Sequence, residues 1–413
     1  MAADDRAFCR HCGKQMELVL ADLGDIPVAN DFVEMAVAVE DDPKVALKVM
    51  VCGDCRLAQT VDLKAADDLF RNDYAYFSSA STSWLDHAER YVDRMIERFG
   101  LAPGARHVEI ASNDGYLLQF SMQRQLDTLG IEPCRSVADA AIAKGIPTRV
   151  DFFGRAYADG LVAEGWQADL VTANNVFAHV PDVNDFAAGI RTLLKPEGVA
   201  TVEVQHLLRL MQRNQFDTIY HEHFSYYSLL AAKRVFEAAG LRVFDVEELP
   251  THGGSLRYFV CRQEAGHPTG PAVARVLAEE IEYGLDRDEI YHGFAENVDR
   301  LRLAFRSLLL DLKADGKRIA AYGAPAKGTT LLNYCGVDRS VIEFTVDRAA
   351  SKQGKSIPGV RIPIVAPEMI AAAKPDYLVI LPWNLKDEIM QQMAGTSGWG
   401  LRFITAIPWP SVV

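Results

Sequence analysis

Short apolar runs alternate with polar, glycine-bearing loops along most of this chain. In the middle third, His107-Val108-Glu109-Ile110 reads as an apolar strand entering the small polar loop Ala111-Ser112-Asn113-Asp114-Gly115. Residues 116–129 carry helical spacing, and Gly130-Ile131-Glu132-Pro133 reads as a strand ending in an acid. Residues 169–174 predict a further strand ending at Asn174 and Asn175, 193–198 a turn, and 199–204 a strand leading to Gln205. Strands alternating with helices predict a doubly wound sheet, which takes its ligands at the carboxyl ends of its strands. Upstream, residues 84–99 predict an amphipathic helix. Downstream, His252-Gly253-Gly254 predicts a turn before a strand, and 279–313 a long, charged helical region. Residues 317–322, 341–346 and 377–381 then predict strands of a second doubly wound unit. Its small-residue loop, 323–328, aims backbone N–H groups at a phosphate, and Lys327 adds charge.

Length and charge narrow the class. A chain of 413 residues exceeds one small core and predicts two or three domains. The formal charge of −13 argues against a nucleic-acid binder. No apolar run approaches the ~20 residues that span a bilayer. Met1-Ala2-Ala3-Asp4-Asp5-Arg6 lacks the basic start and apolar stretch of a secretory signal, so a cytoplasmic protein is expected. Seven cysteines in that setting predict metal ligation or free thiols rather than disulfides.

Two candidate centres stand out. Cys9-Arg10-His11-Cys12 and Cys52-Gly53-Asp54-Cys55 are paired knuckles, and two knuckles complete a tetrahedron of thiolates around structural zinc. Four cysteine ligands leave no position open for catalysis, and His11 inside the first knuckle is expected to be exposed. The second centre is Tyr220-His221-Glu222-His223-Phe224-Ser225-Tyr226-Tyr227. It supplies imidazoles that exchange protons near neutral pH, a carboxylate to orient one, and phenols to hold oxygen atoms. His221 reads equally well as a buried structural histidine. His179, in a loop before Pro181, is a further candidate, and His206 is expected to be exposed to solvent. The loop 111–115 lacks the glycines of a dinucleotide fingerprint, since Ala111 and Asn113 stand where glycines are expected. Strand, acid, loop, acid and the Asn174-Asn175 strand end together resemble a class I S-adenosylmethionine (SAM) methyltransferase. In that fold Glu109 closes the first strand, Asn113 to Gly115 pass the methionine moiety, and Glu132 meets the ribose. Ala111, Asn174 and Asn175 complete the candidate cofactor set.

Four motifs in order extend the resemblance over the whole chain: the doubled CxxC, Glu109–Gly115, Tyr220–Ser225, and the tail Gly323-Ala324-Pro325-Ala326-Lys327-Gly328-Thr329-Thr330-Leu331-Leu332-Asn333-Tyr334. The chain resembles the sugar C-methyltransferases that act on nucleotide-linked 4-keto deoxysugars, such as the C-3′-methyltransferase of tetronitrose biosynthesis and its relatives for mycarose, evernitrose and noviose. The resemblance implies an α/β protein with a zinc-binding domain at 1–68, a SAM-dependent methyltransferase domain at 69–248, and connecting helices with a Rossmann-like domain at 249–413. It implies SAM and structural Zn²⁺, and a dTDP-linked 4-keto deoxysugar held between the last two domains. His223 is the implied base and Glu222 its neighbour, while Tyr220, His179 and Tyr74 face the sugar. Tyr76, Lys327, Asn333 and Lys352 are the implied substrate-binding residues. The implied reaction abstracts a proton α to the C4 ketone and methylates the enolate, at C3. The competing readings are methylation at C5, an O- or N-methyltransferase on the same scaffold, and a zinc-ribbon nucleic-acid or non-catalytic assembly protein. A monomer is expected.

Overall fold

The computed structural model describes residues 7–34, 42–61, 77–80 and 82–413. The N-terminal part is built on β1 (Ala7–Phe8) and β2 (Gln15–Met16), a hairpin around the first cysteine knuckle, then β3 (Leu18–Pro27), β4 (Val33–Glu34), β5 (Lys44–Val51) and β6 (Ala58–Thr60). β3, β5 and β6 pair antiparallel, and a fourth strand joins β6 from far along the chain.

The middle part runs α1 (Thr82–Phe99), β7 (Arg106–Ile110), α2 (Leu118–Gln123), β8 (Asp127–Ile131), α3 (Arg135–Ala143), β9 (Thr148–Arg149), α4 (Arg155–Ala163), β10 (Ala168–Asn174), α5 (Val183–Leu193), β11 (Leu194–Gln205), α6 (Leu207–Gln212), β12 (Ser225–Tyr226), α7 (Leu229–Ala238), β13 (Leu241–Leu249) and β14 (Ser255–Arg262). Its sheet has the order β13-β14-β11-β10-β7-β8-β9, and β14 alone runs antiparallel to its neighbours. The strand order reverses between β7 and β10, which opens a crevice at their carboxyl ends. The strand that completes the N-terminal sheet is β12, paired antiparallel with β6.

The C-terminal part runs α8 (Pro271–Tyr283), α9 (Glu289–Ala314), β15 (Ile319–Tyr322), α10 (Ala326–Cys335), β16 (Thr345–Val346), β17 (Lys355–Ser356), β18 (Ile364–Val365), α11 (Met369–Ala373), β19 (Tyr377–Ile380), α12 (Lys386–Gln392), β20 (Arg402–Thr405) and β21 (Ser411–Val412). Its six strands have the order β18-β16-β15-β19-β20-β21, parallel except for β21. β17 pairs with β4, so the N-terminal part is hydrogen-bonded to both of the others. One core cluster runs through all three: Leu20, Val49, Phe216, Phe305 and Ile319 are fully buried within it. Each such side chain removes apolar area worth roughly 1.5–3 kcal/mol, so the three parts stabilise one another.

Two sequence readings need correction. The helix predicted over 116–129 is only α2, because Gln125 adopts φ +64° and Asp127 already starts β8. The charged helical region at 279–313 is divided between α8 and α9, since Gly284 at φ +103° caps α8. The turn predicted at 193–198 lies inside β11, which begins at Leu194. By hydrogen bonding, the β13–β14 hairpin belongs to the middle sheet, which extends to Arg262. Strand pairing is a tertiary property, set by partners far along the chain.

Candidate active site

The loop between β7 and α2 is shaped by backbone conformation. Ala111, Asn113 and Gly115 take φ +56°, +50° and +75°. Left-handed backbone costs a non-glycine residue about 1–2 kcal/mol, a cost that persists where surrounding structure imposes it. A Cβ on Gly115 would lie 2.2 Å from Ile146 Cδ1, and one on Gly130 would lie 2.4 Å from Ser112 Oγ. The loop is held from both sides. The Asn113 amide donates to Glu132 Oε2 at 2.9 Å, and the Cys134 amide to Glu132 Oε1 at 2.8 Å. From above, the Ser78 amide donates to Asn113 Oδ1 at 2.9 Å, and Lys144 Nζ pairs with Asp114 at 2.9 Å.

Buried acceptors converge on this loop. Both oxygens of Glu109, Ser112 Oγ and Asn174 Oδ1 meet no hydrogen-bond partner among the described residues. Burial, reinforced by the Glu132 and Asp114 carboxylates, drives Glu109 well above the ordinary carboxylate range. Burial also raises Glu132. Buried acceptors at strand ends suit a cationic, hydroxyl-rich ligand, because a buried acceptor without a donor costs about 1–3 kcal/mol. Trp84 stacks on His87 and on Tyr116, with ring centroids 4.8 and 6.1 Å away, and forms an aromatic wall. Asn174 ends β10 and Asn175 takes φ +53°. All seven candidate cofactor residues therefore sit at the carboxyl ends of β7, β8 and β10 or in the loops that follow them. This donor and acceptor set fits SAM.

The Tyr220–Tyr227 run lies beside that crevice, and its hydrogen bonds fix tautomers. His223 Nδ1 faces the Thr218 carbonyl at 3.1 Å, so Nδ1 carries the proton. Nε2 is then the lone-pair nitrogen, and the Tyr220 hydroxyl donates to it at 2.8 Å. Burial, with His179 nearby, holds the His223 imidazole well below its ordinary pKa, so it is neutral at pH 7. His179 Nδ1 donates to the Glu222 carbonyl at 2.6 Å, and its ring lies 4.8 Å from that of His223. Burial lowers its pKa too. Glu222 accepts from Asn30 Nδ2 at 2.9 Å, a residue of the N-terminal part that the sequence offers no reason to select. His221 points away and donates from Nε2 to the Val45 carbonyl at 3.0 Å, the structural alternative. The expectation that His206 is exposed is wrong: it is fully buried, 2.6 Å from Glu280, because the strand–helix junction after β11 is covered by α8.

The four cysteine sulfurs lie within 4.8 Å of one another, with Cys9–Cys55 at 3.4 Å and Cys12–Cys52 at 3.5 Å. A tetrahedron with Zn–S bonds of ~2.3 Å has edges of about 3.8 Å, so this cluster fits zinc. His11 is half-buried rather than exposed, since its Nδ1 donates to Asn184 at 2.7 Å.

The C-terminal residues divide. Lys327 Nζ donates to Asn384 at 2.5 Å and stands 4.3 Å above the Trp383 ring. Burial lowers its pKa to about 8, opposed by Asp217. Asp217, raised to about 6 chiefly by burial, accepts from Trp383 Nε1 at 2.7 Å. Asn333 is occupied in bracing, since Nδ2 spans the carbonyls of Thr329 at 2.9 Å and Pro358 at 3.0 Å. Lys352 donates to the Ala324 carbonyl at 2.9 Å. α10 is pinned by Thr330 Oγ1, which donates to the Ile219 carbonyl at 2.9 Å, and this brings Lys327 toward the Tyr220 run. Tyr74 and Tyr76 lie outside the described residues.

Three family profiles match in series: a zinc binding domain over residues 9–70, a methyltransferase domain over 84–246, and a C-methyltransferase C-terminal domain over 250–408. The C-methyltransferase NovU of Streptomyces niveus is 38% identical over 405 residues, covering 98% of this chain and 96% of its own. Among solved structures, a SAM-dependent methyltransferase of Anabaena variabilis is 16% identical, with 49% of this chain and 96% of that one covered at TM-score 0.38. Magnesium protoporphyrin IX methyltransferase of Synechocystis, solved with bound SAH, is 12% identical, with 43% and 82% covered at TM-score 0.34. Identity along nearly the full length, with all three domains in register, places the chain in the family of SAM-dependent C-methyltransferases that carry an N-terminal zinc-binding domain.

Proposed function

We propose that this enzyme methylates a carbon α to the ketone of a dTDP-linked 4-keto-6-deoxysugar, at C3, as a cytoplasmic monomer that binds no nucleic acid. The observation that carries the reading is the Tyr220–His223–His179 cluster, in which a neutral imidazole presents a lone pair beside a phenol and a second imidazole. Carbon methylation must begin at a C–H bond, and removing a proton α to a ketone demands both a base and a donor for the enolate oxygen. His223 Nε2 is the base. In the free enzyme it is capped by the Tyr220 hydroxyl, and a sugar entering the cleft displaces that cap. Tyr220 then donates to the ketone oxygen, the atom that gains charge as His223 takes the proton. The low basicity of His223 suits this role, because the imidazolium forms only beside the enolate that stabilises it. His179 Nδ1 is committed to the Glu222 carbonyl, which orients its ring toward His223. SAM, when bound, supplies an electrophilic methyl group; Glu109, Glu132 and the 111–115 loop hold it across the strand ends. Lys327 and the amino end of α10 take the diphosphate.

The test is incubation with a dTDP-4-keto-6-deoxysugar in D₂O, without and then with SAM, read by proton NMR and mass spectrometry. Deuterium and the new methyl arriving on C3 are expected. Both arriving on C5 would move the site, and methylation of oxygen or nitrogen without exchange would discard the enolate.

A further inference from the structure

The zinc knuckle reaches the catalytic run directly. Arg10 stands inside the first CxxC pair, and its guanidinium bonds to backbone outside the knuckle. Nη1 donates to the Phe224 carbonyl at 2.5 Å, and Nη2 to the Thr60 carbonyl at 2.5 Å. Phe224 follows His223 in sequence, and its ring is fully buried. The Phe224 carbonyl also accepts the Thr60 amide at 3.0 Å, and its own amide donates to the Ala178 carbonyl at 2.7 Å. Ala178 precedes His179, whose ring returns to the Glu222 carbonyl. Both histidines are therefore tied to one residue, Phe224, through its amide, and Arg10 holds the carbonyl of that same residue. The Arg10 backbone is itself framed, since its amide donates to Gln59 Oε1 at 2.8 Å and Gln59 Nε2 donates to the Phe8 carbonyl at 3.0 Å.

We propose that Arg10 is a positioning residue for the methylation reaction, through which the cysteine knuckle sets the distance and tilt between His179 and His223. The zinc-binding domain then serves aim as well as folding. The physical basis is the planar guanidinium fork, which bridges two carbonyls in fixed geometry and cannot be reproduced by a single ammonium. A 1 Å misplacement of catalytic groups costs about 10²-fold in rate. The kinetic half of this proposal rests on the assignment of His223 as the base.

The test compares Arg10→Met and Arg10→Lys with wild type by zinc content, SAM affinity in calorimetry, kcat and KM on the keto sugar, and amide hydrogen exchange of peptides covering 57–61 and 218–227. Arg10→Met is expected to keep its zinc and its SAM affinity and to lose about 10²-fold in kcat with little change in KM. Exchange should quicken in those two peptides alone, with Arg10→Lys intermediate in every readout. Unchanged exchange at 218–227 with kcat within about twofold of wild type would overturn the proposal. So would zinc loss and faster exchange throughout the chain, which mark a plain folding role. If Arg10→Met fails to fold, Arg10→Lys decides by the same criteria. A wild type that exchanges normally but turns over no keto sugar would refute the substrate reading, while the exchange data would still judge Arg10.

Discussion

Tyr220→Phe separates the proposed chemistry from simple packing. The substitution keeps the ring, whose centroid lies 4.0 Å from that of His223, and deletes only the hydroxyl that donates to Nε2 at 2.8 Å. Both residues are half-buried, so water can reach the orphaned nitrogen, and the stability cost is expected at the lower end of the usual range, about 1 kcal/mol. If the hydroxyl is the donor to the enolate oxygen, its loss costs about 10²–10³-fold in kcat, or roughly 2.7–4 kcal/mol. The two magnitudes differ enough to be told apart in one variant. In the free enzyme the hydroxyl also favours neutral His223 by donating to its lone pair, so its removal raises the imidazole pKa and moves the acid limb of the kcat/KM profile to higher pH. Steady-state kinetics, a pH profile, a thermal melt and SAM calorimetry on the purified variant make the measurement. A kcat within about tenfold of wild type, or a fall matched by loss of SAM affinity, would refute the assignment.

Other consequences follow from the same geometry. Glu203, fully buried against Arg257 at 2.6 Å, is held at about pKa 2 against an ordinary 4.5, because His87 and Arg257 outweigh its burial. Its folded pKa is depressed, so the stability it contributes, about 3 kcal/mol, is present above pH 4.5 and is lost as pH falls toward 2. Denaturant unfolding should show Glu203→Gln less stable than wild type at pH 7, with the gap closing in acid; a gap independent of pH would sink this account. Gly115→Ala places a Cβ 2.2 Å from Ile146 at φ +75° and should weaken SAM binding by about tenfold or more in calorimetry, with native affinity as the contrary result. Lys327→Met should raise KM for the nucleotide sugar while leaving SAM affinity alone, and an unchanged KM would remove it from the substrate site. Cys9→Ser should lower both zinc content and folded yield, and a zinc-free variant with an unchanged melting temperature would deny the metal a structural role.

The residues that were readable in advance share a property: their meaning is local. Two CxxC knuckles declare a thiolate site by spacing alone, and the four sulfurs do converge. The strand–acid–loop pattern from Glu109 to Glu132 is contiguous enough to predict the crevice, even where Ala111 and Asn113 replace the glycines their left-handed backbone would prefer. Asn30, Arg10 and Trp383 carried no such signal. Asn30 meets Glu222 across 192 positions, Arg10 meets Phe224 across 214, and Trp383 meets Asp217 across 166. An asparagine, an arginine or a tryptophan alone is ordinary in any sequence. His206 was misread for the complementary reason, since a polar residue beyond a strand is exposed unless another element covers it, and α8 does.

Composition, spacing and periodicity therefore settle the ingredients: a metal knuckle, a doubly wound nucleotide crevice, and a dense group of proton-transfer side chains. These follow from short-range rules of backbone geometry and ligand chemistry, which act over a few residues. Folding in three dimensions decides what each histidine meets. His221 turns to the β5 carbonyl of Val45, while His223 is left with a lone pair aimed at Tyr220. Around them β12 pairs with β6, and Arg10 donates to the Phe224 carbonyl. Residues two apart in sequence are chemically alike until the fold gives each ring different partners.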